Sequence, residues 1–144
     1  MTFATTSLIR TATLAASAFF LLAATPVASP EVLSRFDKFL KDPRSAQIEV
    51  STSNMIGADQ EQITCGSYNA KNSYGGYIGF KPFVYRSSGG GTLYSDGVAV
   101  RANGSVESID ELMANEPTSM AELDAISRRG DALIAEVKAA FALC

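Results

Sequence analysis

The chain contains two cysteines, Cys65 and Cys144, and they restrict its fold because one of them is the last residue. Two cysteines allow a single intramolecular pairing. This bridge would close a loop of about 80 residues and contribute roughly 4 kcal/mol in the chain-entropy model. It would also hold the C-terminal segment against the middle of the chain. We expect the internal disulfide; the alternatives are two buried thiols or an intermolecular disulfide through Cys144.

Residues 1–28 have the pattern of a secretory signal peptide. One basic residue, Arg10, precedes the apolar run 11–24, and small residues follow this run. A run of about 14 residues is too short to span a bilayer, which takes ~20. The pattern therefore predicts an exported protein, periplasmic or extracellular, in a compartment where a disulfide is stable.

Two signal-peptide cleavage sites are compatible with the sequence, one after Ala24 and one after Ala28. We expect Ala28 to be the site, which leaves a single domain over residues 29–144. No second apolar run is long enough to cross a membrane, so we expect no stable membrane insertion after cleavage.

Composition excludes several classes of function. The chain has no histidine, which rules out Ser-His and Cys-His catalytic pairs and histidine-containing metal sites. With 12 basic and 15 acidic side chains the chain has a net negative charge, whereas nucleic-acid binding requires a basic surface. We therefore expect no nucleic-acid partner, no metal, no cofactor and no enzymatic activity. A hydrolase that works without histidine is the less favoured alternative.

Hydrophobic periodicity predicts an α+β domain with an N-terminal helix, an antiparallel sheet of about 3–5 strands, and a C-terminal helix packed on one sheet face. The Ser29-Pro30-Glu31 sequence is typical of a helix start and predicts a helix over 30–41. A capping box at Ser119-Met-Ala-Glu122 begins the last helix. Gly130 lies on the apolar stripe of that helix, where it would allow a kink or a close approach to the sheet.

The segment between these helices is rich in glycine and tyrosine, as expected for short strands joined by turns. Alternating apolar residues predict a strand over 46–50, whereas residues 51–61 resemble a loop. Asp96-Gly97 is a strong hairpin signal. Residues 105–116 have apolar residues at helical spacing and predict a short helix.

Residues 65–83 (CGSYNAKNSYGGYIGFKPF) contain the pattern C-G-x-x-N-x-K-N-x-x-G-G-Y-x-G-F-K-x-F. The element D-P-x-S-A precedes it at 42–46. Together they resemble the signature of small exported or lipoprotein-like bacterial proteins of unknown function. The resemblance covers residues 42–83, implies a shared fold, and assigns no catalytic residue.

This segment also holds the candidate binding residues, which are Asn69, Lys71, Asn72, Tyr74, Tyr77, Lys81 and Tyr85. For Asn69 and Asn72 we expect a structural role, since asparagine side chains bond the backbone in turns, and ligand binding is the alternative. We expect a β-bulge at Gly66, because it would bury Tyr68 and spare Lys71 from burial.

The strand pattern after Tyr77 predicts two faces. Ile78, Phe80 and Val84 would form an apolar row against the helices. The other row holds Tyr77, Lys81, Phe83 and Tyr85, and it is either covered by a helix or open as a contact surface.

Together these features predict an exported, non-catalytic binding module that acts on a protein or glycan of the cell envelope. The alternative is a structural or assembly accessory that works as a homo-oligomer.

Overall fold

A computed structural model of the protein describes residues 26–114 and 116–144. Most of the predicted signal peptide lies outside the described residues. Three α-helices and six β-strands form within them, in the order α1 (Pro30–Phe39), β1 (Gln47–Ile56), β2 (Glu61–Asn69), β3 (Lys81–Arg86), β4 (Thr92–Ser95), β5 (Val98–Val100), β6 (Val106–Ser108), α2 (Ile109–Ala114) and α3 (Met120–Phe141).

The six strands form one antiparallel sheet in which spatial order follows chain order, from β1 at one edge to β6 at the other. The predicted α+β class is confirmed, and Asp96-Gly97 connects β4 to β5 as the hairpin signal indicates. The strand count exceeds the expected 3–5. The prediction missed β6, which has only three residues and comes directly before α2.

Strand β1 continues to Ile56, so the prediction of a loop over 51–61 is wrong for its first half. Residues 51–54 carry polar side chains that are exposed to solvent, Met55 is 60% exposed, and only Ile56 packs against the core. A strand at the sheet edge, exposed in this way, has no apolar alternation for a sequence pattern to detect.

Both helix starts lie where the sequence indicates. The Ser29 hydroxyl accepts a hydrogen bond from the Val32 amide at 3.4 Å and caps α1. The Ser119 hydroxyl accepts one from the Glu122 amide at 3.2 Å and caps α3.

Helices cover both faces of the sheet. On one face, Val32 and Phe36 of α1 pack against a buried cluster from the strands, which consists of Tyr68, Phe83, Tyr85, Leu93 and Val100. On the other face, Leu133 and Ala140 of α3 pack against Ile63, Cys65, Val84, Tyr94 and Ala99. The C-terminal helix therefore packs on one sheet face, as predicted, and α1 packs on the opposite face.

Because both faces are covered, β2 needs no bulge to bury alternate residues. Cys65 belongs to the core cluster on the α3 side and Tyr68 to the cluster on the α1 side. The predicted bulge at Gly66 is wrong: β2 pairs regularly with β3 there, and the extra residue of the register shift lies in β1, between Val50 and Thr52, opposite Gly66 and Cys65.

The pattern of β3 also differs from the prediction. The strand begins at Lys81, so Ile78 and Phe80 precede it and are about half exposed instead of forming an apolar row under the helices. Phe83 is buried against α1, with its ring centroid 5.2 Å from that of Phe36. Gly79, at φ +93°, breaks the strand period before β3 begins.

Cys65 and Cys144 form a disulfide with their Cα atoms 5.9 Å apart, which is the pairing expected from the sequence. It joins the end of the chain, just after α3, to the second strand of the sheet. The covalent bond therefore reinforces the packing of α3 on that face.

Candidate functional site

The loop that joins β2 to β3, residues 70–80, is held by the side chains at its base. Asn69 is buried, and its Oδ1 accepts a hydrogen bond from the Gly79 amide at 3.0 Å. Its Nδ2 donates to Oε1 of Gln47 on the neighbouring strand at 3.5 Å. Asn69 thus fastens the end of the loop to the sheet, which is the structural role expected of it.

Asn72 organises the turn at the outer part of the loop. Its Oδ1 accepts hydrogen bonds from the amides of Tyr74 at 2.9 Å and Gly76 at 3.1 Å. Its own amide donates to the Gly76 carbonyl at 2.9 Å. Gly75 has φ +82°, which a residue with a side chain rarely adopts. Asn72 therefore bonds the backbone around this turn and is satisfied within the loop.

Lys71 and Tyr77 connect the loop to the 3-10 turn Pro43–Ser45. The Lys71 amide donates to the Ser45 hydroxyl at 3.1 Å, and the Tyr77 hydroxyl donates to the Ser45 carbonyl at 3.3 Å. Lys71 and Tyr77 also pair across the loop as an isolated β-bridge. The Lys71 ammonium lies 5.5 Å from the centroid of the Tyr77 ring, within the range of a cation–π interaction.

Large apolar side chains project from this anchored loop into solvent. Tyr74 is 97% exposed, and three others are close to half exposed, namely Tyr77 at 48%, Ile78 at 49% and Phe80 at 51%. We call these four residues, together with Lys71, the tip surface. Exposed apolar groups grouped in one short segment are typical of interaction sites on soluble proteins.

The other two candidates, Lys81 and Tyr85, are engaged elsewhere: Lys81 follows Phe80 but pairs with Asp96, and Tyr85 is buried. The Lys81 ammonium forms an ion pair with Asp96 at 2.8 Å, and this hydrogen bond raises the pKa of Lys81. Tyr85 is only 4% exposed, because α1 covers it, and burial raises the pKa of its hydroxyl. Of the two alternatives for that row, cover by a helix is correct for Tyr85, which is not available to a partner.

The cations near the tip surface have no carboxylate partner among the described residues. Among the described residues, neither Lys71 nor Arg44 of the adjoining turn lies within 4 Å of a carboxylate. The sequence patterns did not identify Ile78, Phe80 or Arg44 as members of this region. Gly79 and Pro82 could have indicated that Ile78 and Phe80 lie outside a regular strand, because glycine and proline both interrupt strand pairing.

A second polar cluster joins α3 to the sheet. Arg101 donates to both carboxylate oxygens of Glu136, at 3.1 and 3.0 Å, and to Glu107 at 3.2 Å. The Tyr94 hydroxyl donates to Glu136 at 2.9 Å. The Arg101 guanidinium lowers the pKa of Glu136, and burial raises the pKa of Tyr94. Arg129 lies 3.6 Å from Glu107, so two cations balance the two carboxylates and the cluster acts as a structural connection.

Within residues 26–114 and 116–144, no group of three or more side chains is arranged to hold a metal ion. In the same ranges, no helix combines the length and apolar character needed to cross a bilayer. No protein-family model matches the chain, and comparisons with curated proteins and with solved structures find no significant similarity. The family resemblance suggested by the signature over residues 42–83 therefore stays a prediction.

Proposed function

We propose that this protein is an exported, non-catalytic binding module whose tip surface contacts a protein of the cell envelope. The observation that carries the proposal is the set of exposed apolar side chains on a loop that hydrogen bonds hold in one shape. A pre-shaped loop loses little conformational entropy on binding, so more of its contact energy contributes to affinity.

The composition of the loop supports a protein partner. Residues 72–80 consist almost entirely of tyrosine, glycine, serine and asparagine, with one isoleucine and one phenylalanine. This is the composition of antibody recognition loops, in which tyrosine supplies a large rigid contact area and the small residues supply adaptable hydrogen bonds. A protruding loop of this kind fits a concave surface on its partner.

Charge indicates the chemistry of that surface. Lys71 and Arg44 flank the exposed aromatic groups and have no carboxylate partner among the described residues. We therefore expect an apolar cleft with acidic groups at its rim, since complementary charge orients a partner and suppresses wrong ones.

Capture from an envelope extract of the producing organism tests the proposal, with two variants matched in exposure. Tyr74→Ala removes the most exposed tyrosine, and Met120→Ala removes a side chain that is 80% exposed at the start of α3. We expect the wild-type protein and Met120→Ala to retain the same envelope protein and Tyr74→Ala to lose it. Mass spectrometry of the retained fraction is the measurement.

Three results would contradict the proposal. Equal capture by both variants would place the contact outside the tip surface. Capture that survives digestion of the extract with protease would indicate a glycan. A stable oligomer in size-exclusion chromatography that Tyr74→Ala dissociates would assign the tip surface to self-association, which is the homo-oligomer alternative.

A further inference from the structure

We infer that the free edge of β1 pairs with the same edge of a second copy of this chain, so that two sheets join into one across a two-fold axis. The pairing uses residues 52–56 of each copy. Within the described residues, β1 lies at one end of the strand order and pairs with β2 only. An edge strand presents unpaired amide and carbonyl groups, which are a template for pairing with another chain.

The direction of the β1 backbone follows from the hydrogen bonds of its neighbour on β2. The Gln62 amide donates to the Ser87 hydroxyl at 2.8 Å, and the Gln62 carbonyl accepts from the Ser87 amide at 3.0 Å, both on the β3 side. Met55 lies opposite Gln62, so this pair exchanges no backbone bonds and Met55 directs its own amide and carbonyl outward. Ser53, two residues earlier, has the same direction. The backbone groups of Ser53 and Met55 therefore face the free edge.

The two edges of the sheet are protected to different degrees. Short strands, charged side chains, proline and bulges are the features that keep a sheet edge from pairing. At one edge, β6 has only three residues and includes Glu107. At the other edge, β1 has ten residues, with the register shift between Val50 and Thr52. Beyond this shift β1 has none of the protective features, since residues 52–56 contain neither a charged side chain nor a proline.

The composition of this edge favours a second copy as its occupant. Residues 50–58 carry no charged side chain, so antiparallel pairing of two copies over 52–56 brings no like charges together. A foreign peptide that adds a strand is selected through pockets for its alternate side chains. Here the side chains of residues 51–55 are all exposed. The pairing therefore depends on backbone hydrogen bonds, and the same edge of another copy supplies them.

The two-fold axis fixes a register that uses only residues beyond the register shift. With Asn54 on the axis, Ser53 of one copy lies opposite Met55 of the other, and these residues exchange backbone hydrogen bonds in both directions. The Asn54 side chain faces its counterpart, and an amide has both a donor and an acceptor to offer it. Thr52 lies opposite Ile56. An interface in which each residue contacts the symmetric position of the other copy is the form of a two-fold dimer.

This pairing leaves the tip surface of each copy free. The loop that carries the tip surface follows Asn69, which lies opposite Gln47 at the start of β1. Residues 52–56 form the other end of the same strand. The dimer therefore presents two tip surfaces, and the inference does not depend on the proposed function.

Sedimentation velocity of the purified protein at increasing concentration tests the inference. Small interfaces give weak complexes, so we expect a reversible monomer–dimer equilibrium with a Kd on the order of 10–100 μM. A protein that stays monomeric up to about 1 mM overturns the inference. We expect Tyr74→Ala to leave the Kd unchanged. Loss of the dimer in Tyr74→Ala would assign it to the tip surface and overturn the pairing of β1.

Two substitutions at Met55 test the backbone pairing itself. Met55→Pro removes an amide that faces the free edge, a position at which an edge strand tolerates proline. Met55→Ala removes the side chain and keeps the amide. We expect Met55→Ala to dimerise like the wild type and Met55→Pro to raise the Kd roughly tenfold or more. An unchanged Kd in folded Met55→Pro overturns the inference.

A second pair of variants decides the question if Met55→Pro does not fold. Asn54→Lys changes an exposed side chain and brings two like charges together on the axis. Met113→Lys adds the same charge on α2, at a side chain that is 72% exposed. We expect Asn54→Lys to raise the Kd roughly tenfold or more and Met113→Lys to change it little. Equal effects of the two lysines would contradict the pairing of β1.

Discussion

Gly66 lies where β2 comes closest to its neighbours, and the need for space explains the glycine. A Cβ at this position would overlap the carbonyl oxygen of Glu49 on β1 and lie 2.7 Å from the ring of Phe83. Glycine in a strand often marks such a close approach of another group. The sequence pattern suggested a bulge because it could not reveal the neighbour on either side.

We predict that Gly66→Ala lowers the free energy of unfolding by about 1–3 kcal/mol, the usual cost of inserting a group into a filled space. Gly130→Ala is the matched control, because Gly130 lies inside α3 and, apart from the backbone of that helix, the added Cβ would meet nothing within 4 Å. It should raise stability by about 0.5–1 kcal/mol, since alanine favours the helix. Urea unfolding measures both, and equal effects would contradict the packing described for Gly66.

The structure also corrects the expectation that Gly130 kinks α3 or lets it approach the sheet closely. Gly130 neither allows a close approach to the sheet nor interrupts the helix, because α3 continues from Met120 to Phe141 and the space beside Gly130 is open.

Asn72 offers a test of how the tip surface is held. Asn72→Ala removes the acceptor used by the Tyr74 and Gly76 amides. A hydrogen bond of this kind contributes about 0.5–1.5 kcal/mol, so we expect exchange of both amides to accelerate by up to roughly tenfold. Asn72→Asp keeps an acceptor and should stay close to the wild type. Amide hydrogen exchange by NMR is the measurement, and unchanged rates in Asn72→Ala would rule out this role.

Among the helices and strands, the sequence predicted those whose signals are local. Ser119 caps α3 and Asp96-Gly97 turns the β4–β5 hairpin, and each works through its own backbone geometry. The second half of β1 was missed because residues 51–54 are polar and exposed, so they show no apolar alternation. Cover of the second sheet face was one of two alternatives that the sequence left open, since the choice depends on where α1 lies in space.

The sequence also predicted only some of the residues of the candidate site correctly. Lys71, Tyr74 and Tyr77 lie in the tip surface, whereas Tyr85 lies under α1. A strand pattern assigns residues to a face but does not indicate which face is covered, so it could not separate Tyr85 from Tyr77.

The contact between α3 and the sheet should depend on pH. Arg101 lowers the pKa of Glu136 below the ordinary 4.5. Below about pH 4.5 the unfolded state therefore binds more protons than the folded state, and acidification through the folded pKa destabilises the protein. We expect Glu136→Gln to be less stable at pH 7 and to lose less stability between pH 7 and pH 3. Identical pH dependence in urea unfolding would contradict this.

The domain is built on one six-stranded sheet, and a disulfide joins this sheet to the segment after α3. The disulfide between Cys65 and Cys144 closes a loop of 79 residues, and in the chain-entropy model such a bridge contributes about 4 kcal/mol. This is a large part of the stability of an ordinary domain. We expect α3 to depend on this bond more than α1, which packs on the other sheet face.

Reduction of the wild-type protein should therefore lower the free energy of unfolding by roughly 4 kcal/mol, as measured by chemical unfolding with and without dithiothreitol. The Cys65→Ser, Cys144→Ser double variant should resemble the reduced wild type and show no further response to the reductant. A disulfide-linked dimer on a non-reducing gel would contradict the intramolecular bridge.

The most direct test of the binding account is hydrogen–deuterium exchange of the full protein with and without the captured envelope protein. We predict that protection on binding concentrates in residues 71–80, with little change in β1 or α3. Protection of β1 or α3 without a change in 71–80 would show that the partner contacts another surface and that the tip surface is not the binding site.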